Sequence, residues 1–348
     1  MSYENALKKI IKDGKSATVG DVTALLGADA KKRSLLYELA DSVRSDFMGD
    51  EVHVRGIIEF SSFCSENCLY CGLRAGNRVL QRYRMEPGEI IAAARDAAGV
   101  GIKTIVLQSG QDVYYTADVL ARIVSEIKSS LDVAVTLSLG LRPRGDLEVF
   151  RKAGADRYLL KHETADPVLF AWLRPGTTLK ERLNCIYTLK ELGYQVGSGN
   201  MVGLPGQTIV TLARDIVLLR DLKVEMAGIG PFVPNPDTPL GNSVGGDVEA
   251  TLTVLAVARL LLPRLHLPAT TSLGTIHKQG RRMALKCGAN VIMPNVTPLQ
   301  YRRNYAIYPG KAGRELEPGA NVREIQYLLE DMGRRMGEGY GHSPDYMA

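Results

Sequence analysis

EVHVRGIIEFSSFCSENCLYC, residues 51–71, carries a β-branched apolar run straight into a loop with three cysteines. The run reads as a strand, and the strand pattern recurs downstream. TIVLQSG (104–110), VAVTLSLG (133–140), RYLLKHET (157–164), GYQVGSGNMVGL (193–204), MAGIGPFV (226–233), LHLPATTSL (265–273) and NVIMPNVTP (290–298) follow it. Between them lie helical patterns at 87–100, 117–130 and 179–192, the last with apolar residues every three to four positions. Eight strand–helix units predict an α/β fold, a closed (β/α)8 TIM-type barrel over residues 51–320. An N-terminal helical extension (1–50) is expected to cover one end of the barrel. A C-terminal helix and Gly-rich tail (321–348) are expected to pack on it. In such barrels the active site sits at the C-terminal mouth, and the unusual polar clusters here fall at strand ends.

The bulk numbers agree with a globular chain: 348 residues, 45% hydrophobic and 23% charged. The formal charge of +5 is spread along the sequence without a long Lys/Arg run, so nucleic acid is not an expected partner. A mild positive balance suits anionic small molecules. No apolar run is long enough to span a bilayer, and the N-terminus lacks the pattern of a signal peptide. A cytoplasmic protein with no membrane partner is expected. Of five cysteines, three lie at 64, 68 and 71; in a reducing compartment such a cluster means metal rather than disulfides.

Thiolates are soft ligands that favour iron–sulfur clusters, zinc and copper(I). Three thiolates at the spacing Cx3CxxC can bind three corners of a cubic 4Fe–4S cluster, which would leave the fourth iron without a protein ligand. A structural zinc site calls for a fourth Cys or His, and a ferredoxin for a fourth thiolate. Cys185 and Cys287 stand alone in helical patterns and read as small core residues.

With Tyr70 just before the last cysteine, the loop resembles the signature of the radical S-adenosylmethionine (SAM) superfamily. That resemblance implies an oxygen-sensitive enzyme with one 4Fe–4S cluster and SAM as cofactors. Cys64, Cys68 and Cys71 would be both metal ligands and catalytic residues, and SAM would chelate the open iron through its amino and carboxylate groups. The family's GGE-like motif is matched by Ser109, Gly110, Gln111 and Asp112, with Gln111 where a Glu is usual. Its carbonyl accepts from an ammonium without charge assistance. Glu163 would bind the amino group or ribose, Lys161 or Arg182 would pair with the carboxylate, and His162 reads as a packed strand residue. Met201, Gly203, Leu204 and Pro205 resemble the Gly-rich stretch beside the adenine.

Within that superfamily, YLLKHETA, GNMVGLPGQT, GIGPFVPNPDTPL, PATTSLGTI and GANVIMPNVTP are similar to the FeFe-hydrogenase maturases of the HydE family, over roughly residues 45–311. The similarity implies an organometallic substrate, an iron bearing carbonyl, cyanide and a chelating cysteine, attacked at sulfur by the adenosyl radical. It also implies other hydrogenase maturases as partners and an electron donor of the flavodoxin or ferredoxin type. Thr136, Lys161, Thr270, Thr271, Met293 and Tyr305 would line the substrate pocket. Two departures stand out. The C-terminal region KAGRELEPGANVREI lacks the three cysteines that hold an auxiliary cluster in many members. Lys161 stands where the family tends to show Arg. They keep open a HydE-like enzyme for another small thiol, thioether or amino acid, as in the sister methylornithine and biotin synthases. A non-enzymatic iron–sulfur scaffold is the third reading.

Overall fold

The computed structural model describes residues 2–313 and 315–346. Eight parallel strands form the path around the central sheet: β1 (Glu51–Ser61), β2 (Thr104–Ser109), β3 (Ala134–Ser138), β4 (Arg157–Leu159), β5 (Gln195–Ser198), β6 (Met226–Ala227), β7 (Pro268–Ala269) and β8 (Val291–Ile292). Their order is β6-β5-β4-β3-β2-β1-β8-β7, and a parallel bridge between Met226 and His266 brings the two edges together into a nearly closed barrel. The fold is the α/β barrel expected, although several hydrogen-bonded runs are much shorter than their apolar patterns. A register shift between Glu59 and Ser61 bends the end of β1 just before the cysteine loop.

The helices between strands begin where the sequence caps them. Thr178 and Glu181 form a reciprocal capping box for Leu179–Glu191, and the side chain of Thr116 accepts from Val119 N ahead of Ala117–Ser130. Each helix then buries its apolar stripe on the strands, giving one continuous core. No described helix is long and apolar enough to cross a membrane.

The N-terminal helices correct one expectation. Val19–Leu26 packs on Ile209–Asp221, and Ala30–Met48 packs on Val248–Leu261, so both lie on the barrel's flank rather than across an end. That cover explains why every residue of Val248–Leu261 from Thr251 onward is buried. The end away from the mouth is closed by the C-terminal tail. Arg335–Met336 pairs with the start of β1, and the chain then crosses beneath the barrel. Arg55 Nη2 donates to Gly341 O at 3.0 Å, Thr104 Oγ1 to Tyr340 O at 2.8 Å, and Ser343 N to Gln195 Oε1 at 2.8 Å.

Candidate active site

At the mouth, β1 and β2 bring the cysteine loop and the 109–112 turn together. Gly110 N donates to Ser61 O at 3.2 Å, and Ser65 N donates to Gln111 O at 2.9 Å. Gly110 is pressed so closely on the loop that a Cβ there would run into Phe63 O and stand 2.7 Å from Cys64 Cβ. On the other flank, Gly72 packs against Ala306 O and Asn235 Nδ2, and Asn235, from the PNPDTPL motif, donates to Ala306 O at 3.0 Å. Arg74 and Arg82 tie the loop from outside: Arg74 Nε donates to Cys68 O at 3.2 Å and Arg82 Nη1 to Ser62 O at 2.6 Å.

Burial pushes all three thiols up from their ordinary range, Cys71 most strongly, with the neighbouring Cys68 and Cys64 adding to the effect. The charge of Arg174 works the other way at each of them. A metal bound there would offset that cost, since a coordinating thiol is deprotonated by its cation. Among the described residues no three His, Cys, Asp or Glu side chains are placed to hold a single ion, and thiols serving separate irons of a cube stand farther apart than ligands of one ion.

Two side chains that sequence reading passed over, Glu66 and Arg174, complete the loop's frame. Glu66 Oε1 accepts from Gln111 Nε2 at 2.9 Å, and its Oε2 faces Arg174 Nη2 at 3.3 Å. Arg174 also donates to Tyr70 Oη at 3.0 Å. Gln111 N lies 3.3 Å from Cys64 Sγ, and its Oε1 accepts from Leu141 N at 2.8 Å. Gln111 therefore braces two loops with its whole amide. The Ser109 hydroxyl turns to Gly110 O at 2.6 Å, and Asp112 is taken by Arg84 and Ser61.

Beyond β4 the backbone turns sharply. Glu163 has φ +68°, a left-handed conformation that a residue with a side chain adopts at a cost of about 1–3 kcal/mol. Glu163 N donates to Gly199 O at 2.9 Å, and Met201 N donates to Glu163 O at 3.1 Å, so the neighbouring strand end holds the turn. Lys161 Nζ lies 3.7 Å from the Glu163 carboxylate. Arg182 Nε donates to Lys161 O at 2.5 Å, while its buried Nη1 has no protein partner. Arg174 Nε is likewise buried without one. The Gly-rich loop is set by Gln207, whose Oε1 accepts from Gly203 N at 2.7 Å and Leu204 N at 3.3 Å. Leu204 joins Leu173, Phe232 and Leu240 in an apolar cluster flanked by Leu69, Tyr70 and Met201; Pro205 follows in the loop. His162 is fully buried, 3.0 Å from Ser198 Oγ through Nδ1, as a packed residue should be.

The six substrate-pocket residues are not all at the mouth. Tyr305 is beside the thiols, its Oη accepting from Gln108 Nε2 at 3.2 Å, and Met293 is half-buried just past β8. Thr270 sits against Gly230, its hydroxyl 3.2 Å from Ser272 Oγ. Thr271 is the first residue of a helix, Thr271–Ile276, and not part of β7. Thr136 lies in the middle of β3 rather than at its end. It faces a small cavity with Arg55, Arg157, Met226 and His266, toward the tail-closed side, and its hydroxyl has no partner.

Around the three thiols of the mouth stand acids, an apolar shelf, and two guanidiniums that each keep one unpartnered N–H, and the chain that builds it matches known proteins. Residues 58–219 match the family model of the radical SAM superfamily. The chain is 55% identical to the [FeFe] hydrogenase maturase subunit HydE of Thermotoga maritima, over 88% of each chain. The chain belongs to the HydE family of radical SAM proteins. Its barrel also superposes on the crystal structure of methylornithine synthase (PylB) with a TM-score of 0.83 at 26% identity, covering 95% of this chain and 97% of that one. The 3-methylornithine synthase of Methanosarcina acetivorans is 29% identical over 94% of this chain and 92% of its own. This HydE-family chain is thus a SAM-dependent enzyme, and its family carries an iron–sulfur cluster and SAM.

The pocket's residues fit both groups. Three soft donors on one loop suit a cluster, and the unpartnered Nη1 of Arg182 and Nε of Arg174 suit the carboxylate of an amino acid.

Proposed function

We propose that this chain holds one 4Fe–4S cluster on Cys64, Cys68 and Cys71, and matures FeFe hydrogenase by acting on a cysteine-bound iron carbonyl–cyanide precursor. A cluster held there supplies the electron that cleaves SAM to methionine and a 5′-deoxyadenosyl radical. The chain's own groups bind and orient. Arg182 takes the methionyl carboxylate with its free N–H, while Gly203 and Leu204 shape the adenine side on the loop that Gln207 fixes. Lys161, Thr270 and Tyr305 supply a cation and hydroxyls to an anionic substrate, with Met293 as wall; Thr136, facing the base of the barrel, is left out of this pocket, and Thr271 follows Thr270 at the start of its helix. Partners in this reading are a flavodoxin- or ferredoxin-type electron donor and the other hydrogenase maturases.

The observation that carries the reading is the 55% identity to a HydE across 88% of both chains. The test is anaerobic. Reconstituted protein is reduced with dithionite, mixed with SAM, and followed by EPR and by 5′-deoxyadenosine release; it is then added to a maturation mixture lacking its own HydE. A SAM-dependent spectral change together with recovered hydrogenase activity is the expected result. Nucleoside release without hydrogenase activity would favour the second reading, a different small thiol or amino-acid substrate, which the likeness to methylornithine synthase across 94% of the chain keeps in view. A cluster indifferent to SAM would point to the scaffold.

A further inference from the structure

The loop between Cys64 and Cys68 carries one acid, Glu66, whose two oxygens take one donor each, from Gln111 and Arg174. Its side chain is only 12% exposed. It sits between Cys64 and Cys68 in the chain, so the fold has set a carboxylate beside the thiols that would hold the metal. Like charges at close range in a water-poor pocket are unfavourable unless positive charge joins them. Arg174 contributes one, at 3.3 Å, but shares itself with Tyr70.

Gln111 holds Glu66 in place and is itself committed. Because Oε1 accepts from Leu141 N at 2.8 Å, the amide orientation is settled, and Nε2 has to face Glu66 at 2.9 Å. The packing agrees: Gly140, at φ +76°, lies against the Gln111 side chain where a Cβ would stand 2.7 Å from Oε1. The turn after β2 therefore presents a neutral donor to the pocket, and the negative charge sits across from it, on the cysteine loop. The other acid near the thiols, Glu163, is already 3.7 Å from Lys161.

Resting on the radical SAM reading, we infer that Glu66 is the acid that accepts from the methionyl amino group of SAM in this chain, with Gln111 as its bracket. An amino acid that chelated an iron held by Cys64, Cys68 and Cys71 would bring its amino nitrogen, with N–H groups left to donate, up to the loop on which Glu66 sits. Each Glu66 oxygen has a lone pair left after its bond to Gln111 or Arg174. The carboxylate end falls to Arg182, so the amino end meets an acceptor and the carboxylate end a donor.

The decisive variant is Glu66→Gln, which removes the charge and still accepts from Gln111. Iron and sulfide content is measured first, and SAM affinity is then titrated from its effect on the EPR spectrum of the reduced cluster. The expected result is wild-type iron with SAM affinity at least about ten-fold weaker. Adding Gln111→Glu to Glu66→Gln, which returns the acid to the opposite wall, is expected to recover most of the loss. Unchanged affinity in Glu66→Gln, loss of the cluster in that variant, or failure of the double variant to recover would each overturn the assignment. A wild-type cluster that ignores SAM would overturn the radical SAM reading with it, which separates the two failures.

Discussion

Gly110 shows how a single missing side chain sets the site. The turn after β2 comes so close to the cysteine loop that a methyl group would collide with Phe63 O and crowd Cys64 Cβ. Backbone cannot step aside as a side-chain tip can, so Gly110→Ala has to push the loop outward, at a cost on the order of 1–3 kcal/mol. The expected outcome is a folded protein whose reconstituted iron content drops several-fold. Cys287→Ala is the matched comparison. Cys287 is buried but far from the loop in the chain and packed in the core, and its loss should cost about 1 kcal/mol with iron content unchanged. Iron and sulfide analysis beside a thermal melt reads both variants. Full iron in Gly110→Ala would show that the loop tolerates displacement.

At the scale of elements, helix Ile209–Asp221 reaches back into the site. Its Asp215, fully buried, accepts from Ala165 N at 2.5 Å and lies 3.7 Å from His162 Nε2 and 3.5 Å from Gln207 Nε2. It thereby links the turn at Glu163 to the loop that Gln207 organises. Asp215→Ala leaves Ala165 N without its acceptor, and a stability loss of about 1–3 kcal/mol is expected in denaturant melts. Weaker SAM binding with retained iron should accompany it, since the cysteine loop is held by other contacts. A melt identical to wild type would sink this account. The same region marks what the sequence conveyed and what it did not. The eight apolar runs predicted the eight strands because burial on both faces leaves a compositional trace. The pattern cannot tell where pairing stops. GYQVGSGNMVGL breaks at Gly199, which is pressed on the backbone of Gly228, so Met201–Val202 leaves the barrel to pair with Gly230–Pro231. The cysteines were readable from spacing alone. Glu66, Arg174 and Asp215 were not, because their meaning comes from partners 45, 108 and 50 positions away. Glu66 did offer a signal, as the lone acid inside the Cx3C loop.

On the scale of the whole molecule, the barrel works with two unlike ends, the cysteine mouth and a base sealed by the tail. The base holds Arg55 and Arg157, both buried, beside His53, His266 and His342. Gly337 and Gly341 lie against the His53 ring, and a side chain at either would collide with it. Burial, aided by the charges of Arg55 and Arg157, pulls His53 down to about 4 from an ordinary 6.5. His266 and His342 are lowered by burial and the same two arginines, with Lys128 adding to the effect at His342 and Asp156 opposing it there. A folded-state pKa below the unfolded one favours the fold above pH 6.5, and that contribution disappears as pH falls through about 4. For His53 alone the difference is on the order of 3 kcal/mol. The melting temperature should therefore decline between pH 6.5 and 4 as the imidazoles are forced to take protons beside two guanidiniums. His53→Gln, which cannot be protonated in that range, should flatten this limb while its melt at neutral pH stays close to wild type. Parallel acid limbs in the two proteins would mean that the base is not where acid acts, and that the tail's seal rests on its carbonyl contacts to Arg55 and Arg157.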